Sequence, residues 1–218
     1  MVKKTLLFVL FSCNMFAQEF ANKHTITLGL INQIALIPRF DIGYFRALNE
    51  QVTAGITLGY GTYELMTYKG VENTTHYKLF EMRPEIMLLR RTEKKSPHYL
   101  SAEFFYIHHT DRFSNGYFYN GREKVVFDDA NYTRNKMGFN LNYGIIASFV
   151  KSKKFGIIPE IGMGFKHRQI NFSNIKNAVV VDKDSDGCFP ISTESLYHEK
   201  GVQNNFNFNI DLRLFYKF

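Results

Sequence analysis

Residues 205–218 read NFNFNIDLRLFYKF. Phe206, Phe208, Ile210, Leu212, Leu214, Tyr216 and Phe218 alternate without a break against Asn205, Asn207, Asn209, Asp211 and Arg213. Successive side chains of a strand point to opposite faces, so this stretch is a strand with one apolar and one polar side. An alternation this long spans more than the five or six residues of an ordinary strand.

Seven more runs share the period. Residues 24–36 place Ile26, Leu28, Leu30, Ile34 and Leu36 on one face, and residues 39–48 do the same with Phe40, Ile42 and Tyr44. In residues 51–65, Val52, Ala54, Ile56, Leu58 and Tyr60 oppose Thr53, Gly55, Thr57, Gly59 and Gly61. Residues 78–89 set Phe80, Met82, Pro84, Ile86 and Leu88 against Glu81, Arg83 and Glu85. Residues 98–109, 136–149 and 155–168 continue the pattern. Pro84 and Pro159 fall inside two of the runs, where each removes a ladder donor, and are read as bulges or weak points.

Period alone does not say which face points outward; a soluble ligand-binding barrel would turn the apolar face in. Ten of the fifteen glycines lie on the face opposite the apolar one. An eight-stranded barrel has an interior only just wide enough for side chains, so small residues belong inside and the bulky face meets lipid. Connections also alternate in length. ALNEQ, RTEKKSP and KSKK are short, whereas TYKGVENTT and the stretches from Ser114 to Tyr132 and from Asn171 to Asn204 are long; the first connection, around Pro38, is the exception, short but on the long side. Short periplasmic turns and long outer loops are the outer-membrane pattern. No segment has the run of about 18 apolar residues that a membrane-spanning helix needs. The expected fold is all-β: an eight-stranded antiparallel up-and-down transmembrane β-barrel.

The start of the chain is an address. Lys3 and Lys4 precede the apolar run TLLFVLF, and Ala17 suits the residue before a signal-peptidase cut. Residues 1–17 are expected to be a signal peptide and 18–218 the barrel, in the bacterial outer membrane. Leu10-Phe11-Ser12-Cys13 also resembles a lipobox, which would make Cys13 a lipidated N-terminus. With ordinary cleavage Cys188 is left as a lone thiol, without an intrachain disulfide. The net charge of +7 is scattered through strands and turns. With no basic helix and no nucleic-acid fold signature, nucleic acid is excluded as a partner.

The stretch LGLINQIALIPRFDIGYFRALNEQVTAGITLGYG, with Tyr44, Arg46, Ala47, Leu48 and Asn49, resembles the opening of a family of small outer-membrane barrels of unknown function common in Bacteroidetes. PEIGMG in the seventh run fits as well. Phe45 stands where that family usually has Glu. The resemblance implies an eight-stranded outer-membrane barrel and brings no catalytic residues. The terminal Phe218 resembles the signal by which the barrel-assembly machinery recognises its clients.

Three groups of residues could carry chemistry. Asp41, Glu81, Arg83, Glu85, Glu103, Glu160, Lys166, Arg168, Asp211 and Arg213 fall on the inward face. Buried charges must be paired, so they are expected to form a salt-bridge plug, with a gated ion path as the alternative. His108 and His109, followed by Thr110, Asp111 and Ser114, end the fifth run at the outer rim. They would serve an outer-leaflet lipid hydrolase only if a nucleophile and an acid met a histidine. Asp182, Asp184 and Asp186 before Gly187 could converge on calcium, though Thr193 stands where an EF-hand has its Glu and Pro190 interrupts the loop. Otherwise no cofactor is expected. The expected role is a non-enzymatic barrel with a charge-plugged lumen, in contact with outer-membrane lipid, whose long outer loops form a structural, binding or packing surface. The alternatives are a lipid-modifying enzyme and an accessory subunit of a larger complex.

Overall fold

The structure is a computed structural model that describes residues 24–33, 37–62, 76–90, 97–121, 123–149, 153–181 and 197–218. The strands are β1 (His24–Gly29), β2 (Phe40–Ala47), β3 (Val52–Thr62), β4 (Lys78–Arg90), β5 (His98–Asn120), β6 (Glu123–Ile145), β7 (Ala147–Ser148), β8 (Phe155–Lys176), β9 (Val179–Val181) and β10 (Gly201–Lys217). Strands β1 to β6, then β8 and β10, pair antiparallel with their neighbours, and β10 closes on β1. The result is an eight-stranded barrel. At the seam, backbone hydrogen bonds join Phe218 and His24 in both directions, at 3.0 and 3.3 Å.

The register fixes the barrel's width. Following partners from Leu28 passes through Ile42, Leu58, Met82, Tyr106, Met137 and His167 to Asn204. Asn204 lies ten residues from Leu214, to which Leu28 is itself paired. With eight strands and ordinary strand spacings, that stagger gives a tilt of about 41° and a backbone radius of about 8 Å. Side chains from opposite walls therefore meet in the middle.

The inside–outside assignment follows the alternation. Along β4, Leu79, Glu81, Arg83, Glu85 and Met87 are buried, while Phe80, Ile86 and Leu88 are exposed. Phe208 on β10 is 79% exposed and Arg213 1%. A soluble barrel would show the reverse. The outward apolar band on β10 runs from Phe206 to Tyr216, about 25 Å at the axial rise this tilt allows, which is the height of an outer-membrane apolar belt. At the end with the short turns, His24 stacks on Tyr44 and Phe218, and His98 on Tyr143. These rings carry their polar edges in pairs, His24 with Tyr44 at 2.6 Å and His98 with Tyr143 at 2.5 Å. Amphipathic rings of this sort suit a membrane–water boundary.

Four sequence expectations change. The stretch from Ser114 to Tyr132 is not a loop: β5 and β6 run on to Asn120 and Glu123, joined through Gly121 at φ +68°. Halfway up, the β6–β8 register shifts between Asp129 and Asn131, opposite Asn174 of β8 at φ 53°. The parity of buried residues changes at this level, and Phe113, Phe118, Val125, Phe127 and Phe172 gather into one apolar cluster at the end away from the short turns. Likewise the stretch from Asn171 begins as strand, β8 continuing to Lys176 before β9 pairs with β6. The first run ends early: β1 stops at Gly29, and residues 30–33 bend away instead of carrying the alternation to Leu36. Finally, of the two readings of the prolines the weak point holds and the bulge does not. The β4–β5 register is unchanged on either side of Pro84, and the β6–β8 ladder lapses opposite Pro159 and resumes in register at Ala147. Residues 1–17, Cys13 and Cys188 lie outside the described residues.

Candidate functional site

Every inward charge read from the alternation lies inside the barrel, and all but Lys166 are buried. Two strands dominate. β4 and β10 stand diametrically opposite, four steps apart in either direction round the ring. Arg83 of β4 donates to Asp211 of β10 at 3.0 Å, and Arg213 of β10 donates to Glu85 of β4 at 2.8 Å. The lumen is thus crossed twice by charge-assisted hydrogen bonds.

The remaining groups complete these crossings. Arg213 Nη2 also donates to Glu160 at 2.5 Å and to the Tyr99 hydroxyl at 3.0 Å. Tyr99 donates in turn to Glu160 at 2.6 Å. Arg83 reaches Asp41 at 3.4 Å and Glu103 at 3.6 Å, and Glu103 accepts from Asn140 at 2.9 Å. Arg39 donates to Glu81, and Asn32 to Asp41. Around these groups six carboxylates (Asp41, Glu81, Glu85, Glu103, Glu160, Asp211) meet three guanidinium groups (Arg39, Arg83, Arg213). Below the network Phe45, Met87, Tyr99, Ile146, Ile158 and Phe215 pack as an apolar floor, with the Arg213 guanidinium 5.5 Å from the Phe45 ring.

Arg39, Tyr99 and the asparagines were not legible as partners. Arg39 precedes β2, where alternation gives no face, and Tyr99 reads as apolar until its hydroxyl is seen in the network. Arg134 and Lys136 were missed for a different reason. Lys136 heads the sixth run on its inward parity and escaped the set of inward charges, and Arg134 lies two residues before that run, beyond which the parity was not extended.

The two rim histidines part company. His108 faces outward and contacts the Asn135 side chain at 2.7 Å. His109 is buried inside among Tyr77, Tyr132 and Tyr197, with Asp111 at 3.9 Å. Thr110 lies on His108's face and Asp111 on His109's, so the strand's period separates the hydroxyl of one from the carboxylate of the other. Asp182, Asp184 and Asp186 lie outside the described residues. Among the described residues there is no group of three or more His, Cys, Asp or Glu side chains suited to a metal ion.

No family model matches the sequence, and no curated protein does. Among solved structures, CarO of Acinetobacter baumannii is similar at 8% identity with a TM-score of 0.44, over 93% of this chain and 100% of that one.

Proposed function

We propose that this protein is a non-enzymatic outer-membrane barrel. Its lumen is closed by ion pairs, and its outer β5–β6–β8 extension and loops form a binding or packing surface. One observation carries the reading: the molecule is inside-out for a soluble protein, with arginines and carboxylates at its centre and Phe208, Ile210 and Met163 outside. Burying charge while exposing a 25 Å band of aliphatic and aromatic side chains, about the thickness of an outer-membrane core, is favourable only in lipid. The resemblance to the small Bacteroidetes barrels agrees with this location. The last strand, ending in Phe218, is the segment offered to the assembly machinery.

The test is fractionation with a gel-shift assay. The protein is expected in outer-membrane fractions, as a band whose mobility changes on boiling. Recovery in the soluble periplasm without that change would overturn the reading. Replacement of His108 and His109 is expected to leave the lipid A profile of the cells unaltered. A change in lipid A on their loss would replace this reading with the lipid-modifying enzyme.

A further inference from the structure

Above the central network the lumen changes sign. Arg134 and Lys136 on β6 and Lys166 and Arg168 on β8 all point inward. The register sets Lys136 directly against Arg168 and Gly138 against Lys166. Neighbours on such a grid are about 5–7 Å apart at Cβ, and like charges placed directly opposite destabilise a sheet. A protein that keeps four cations in this arrangement needs something to balance them.

The described residues supply little. Three carboxylates face the cluster; Glu81 and Asp111 are engaged elsewhere, and Glu199 pairs with Arg168. Glu81 is held by Arg39 and Arg83. Asp111 accepts from the backbones of His76 and Arg112, at 3.2 and 2.7 Å. Glu199 lies 3.6 Å from Arg168 and accepts from Gln203, to which Arg168 also donates, so Arg168 is the partnered cation of the four. Arg134 is 2% exposed and has no hydrogen-bond or ion-pair partner among the described residues. Its guanidinium faces only the Tyr197 ring, at 5.8 Å. The Tyr132 hydroxyl and both His109 nitrogens are likewise buried without a partner. Lys136 rests over the Phe105 ring at 5.0 Å, and Lys166 has no partner among the described residues. There is also room. Asn205 faces inward opposite Lys166 and is nonetheless exposed, so water reaches the inner wall beside Lys166.

We propose that the outer half of the lumen is an oxyanion site, built by Arg134, Lys136, Lys166 and Arg168 with Tyr132, for a phosphate-bearing ligand. The donor set favours phosphate over carboxylate. Leaving Arg168 aside, the Arg134 guanidinium, two ammonium groups and a phenol offer more N–H and O–H bonds than two carboxylate oxygens can accept, whereas a phosphate presents three or four oxygens and a higher charge. The phosphate comes either from a soluble compound in the medium or from the headgroup of an outer-leaflet lipid.

The experiment titrates inorganic pyrophosphate into the mature protein in detergent, by calorimetry. Saturable binding that weakens with added sodium chloride is expected. Lys136→Gln with Lys166→Gln should weaken it at least tenfold while raising the thermal midpoint of the empty barrel, because the variant relieves repulsion. Lys78→Gln, on the outer rim, should leave binding unchanged. Should the double variant not fold, Lys166→Gln alone, which removes a side chain without a partner, is expected to weaken binding severalfold. Lipid A that competes with pyrophosphate identifies the lipid source, and lipid A that does not identifies the soluble one. Absence of saturable binding at millimolar pyrophosphate, or binding indifferent to the lysine variants, would overturn the proposal. Membrane location is read separately by the gel shift, so either reading can fail without the other.

Discussion

Arg213 is the residue on which the lumen turns. Its guanidinium faces Glu85, Glu160 and the Tyr99 hydroxyl from 2.5 to 3.0 Å, at 1% exposure. Replacing it with Met would leave two carboxylates buried without their cation. Removing one partner of a buried pair costs about 3–5 kcal/mol, more than the pair itself contributes. Arg213→Met is therefore expected to lower the urea midpoint of the folded barrel sharply, and adding Glu85→Gln and Glu160→Gln should recover much of the loss. A single-variant loss that the triple variant does not reduce would show that the arginine acts by packing on Phe45 alone. Gly144 makes the complementary point by being small: a Cβ there would collide with the Tyr99 ring, so Gly144→Leu is expected to displace the hydroxyl that bridges Arg213 and Glu160. In the outer extension, Arg112 grips Asp129 through two hydrogen bonds at 2.8 and 2.6 Å. Those bonds, with Lys176 beside them, hold the Asp129 carboxyl down at about 2. A group depressed on folding stabilises above its unfolded value of about 4 and ceases to do so as pH falls through its folded value. Protease resistance of the outer extension is thus expected to weaken between about pH 4 and 2, and Asp129→Asn should remove that dependence.

At the scale of the element, β10 has two unlike jobs on two faces. Its outward face carries Phe206, Phe208 and Ile210, all more than 60% exposed, while Asn207, Asp211 and Arg213 are buried. Ile210→Arg places a charge in the belt and is expected to cost about 2–4 kcal/mol, read as a lower folded fraction in lipid vesicles. Asn209→Ser on the inner face removes bonds at 3.2 and 3.3 Å to Glu160 and Asn142 and should cost less, about 1 kcal/mol. If Asn209→Ser blocked insertion while Ile210→Arg did not, the faces would be reversed. The β5–β6 hairpin shows a second kind of element, one that changes role along its length. Below Thr110 it is barrel wall; above the bulge it is one side of an apolar cluster closed by Tyr197, with His198 stacked on Tyr117 at 4.3 Å between ring centres. Phe172→Ala at the centre of that cluster is expected to expose the extension to protease and leave the gel shift of the barrel unaltered.

For the whole molecule, the radius is decisive. At about 8 Å from axis to backbone, an eight-stranded wall leaves no channel once long side chains cross it. Two opposed arginines and their carboxylates do cross it, above a floor of packed apolar side chains. In planar bilayers the protein is expected to show little or no steady conductance. Stable channels of porin size would refute the plug. The charge distribution above and below the crossing is uneven, carboxylates prevailing in the central network and cations in the outer half. A solute that entered from outside would therefore meet the positive half first and be stopped by the ion pairs, which suits binding better than passage.

The sequence by itself determined the strand count, the closed barrel and the direction of its faces. These depend on a two-residue period and on where glycines fall in it, and both are local properties of the chain. It also determined which charges share the lumen, because parity alone places Asp41, Glu81, Arg83, Glu85, Glu103, Glu160, Asp211 and Arg213 on one side. Only the tertiary structure decided which of them pair. Arg83 and Asp211 are 128 residues apart in the chain and face each other because a stagger of ten and a ring of eight bring β4 opposite β10, a closure condition that no local pattern encodes. The height of the outer extension was hidden for a related reason. The buried parity switches between Phe113 and Phe118 on β5 and between Phe127 and Ala130 on β6, so a continuous pair of strands reads in sequence as an interruption. The four cations of the outer lumen stand beside one another because β6 pairs with β8 in a register that sets Lys136 against Arg168, and the lack of partners at Arg134 and Lys166 among the described residues is a property of three-dimensional neighbours, which a list of residues does not contain.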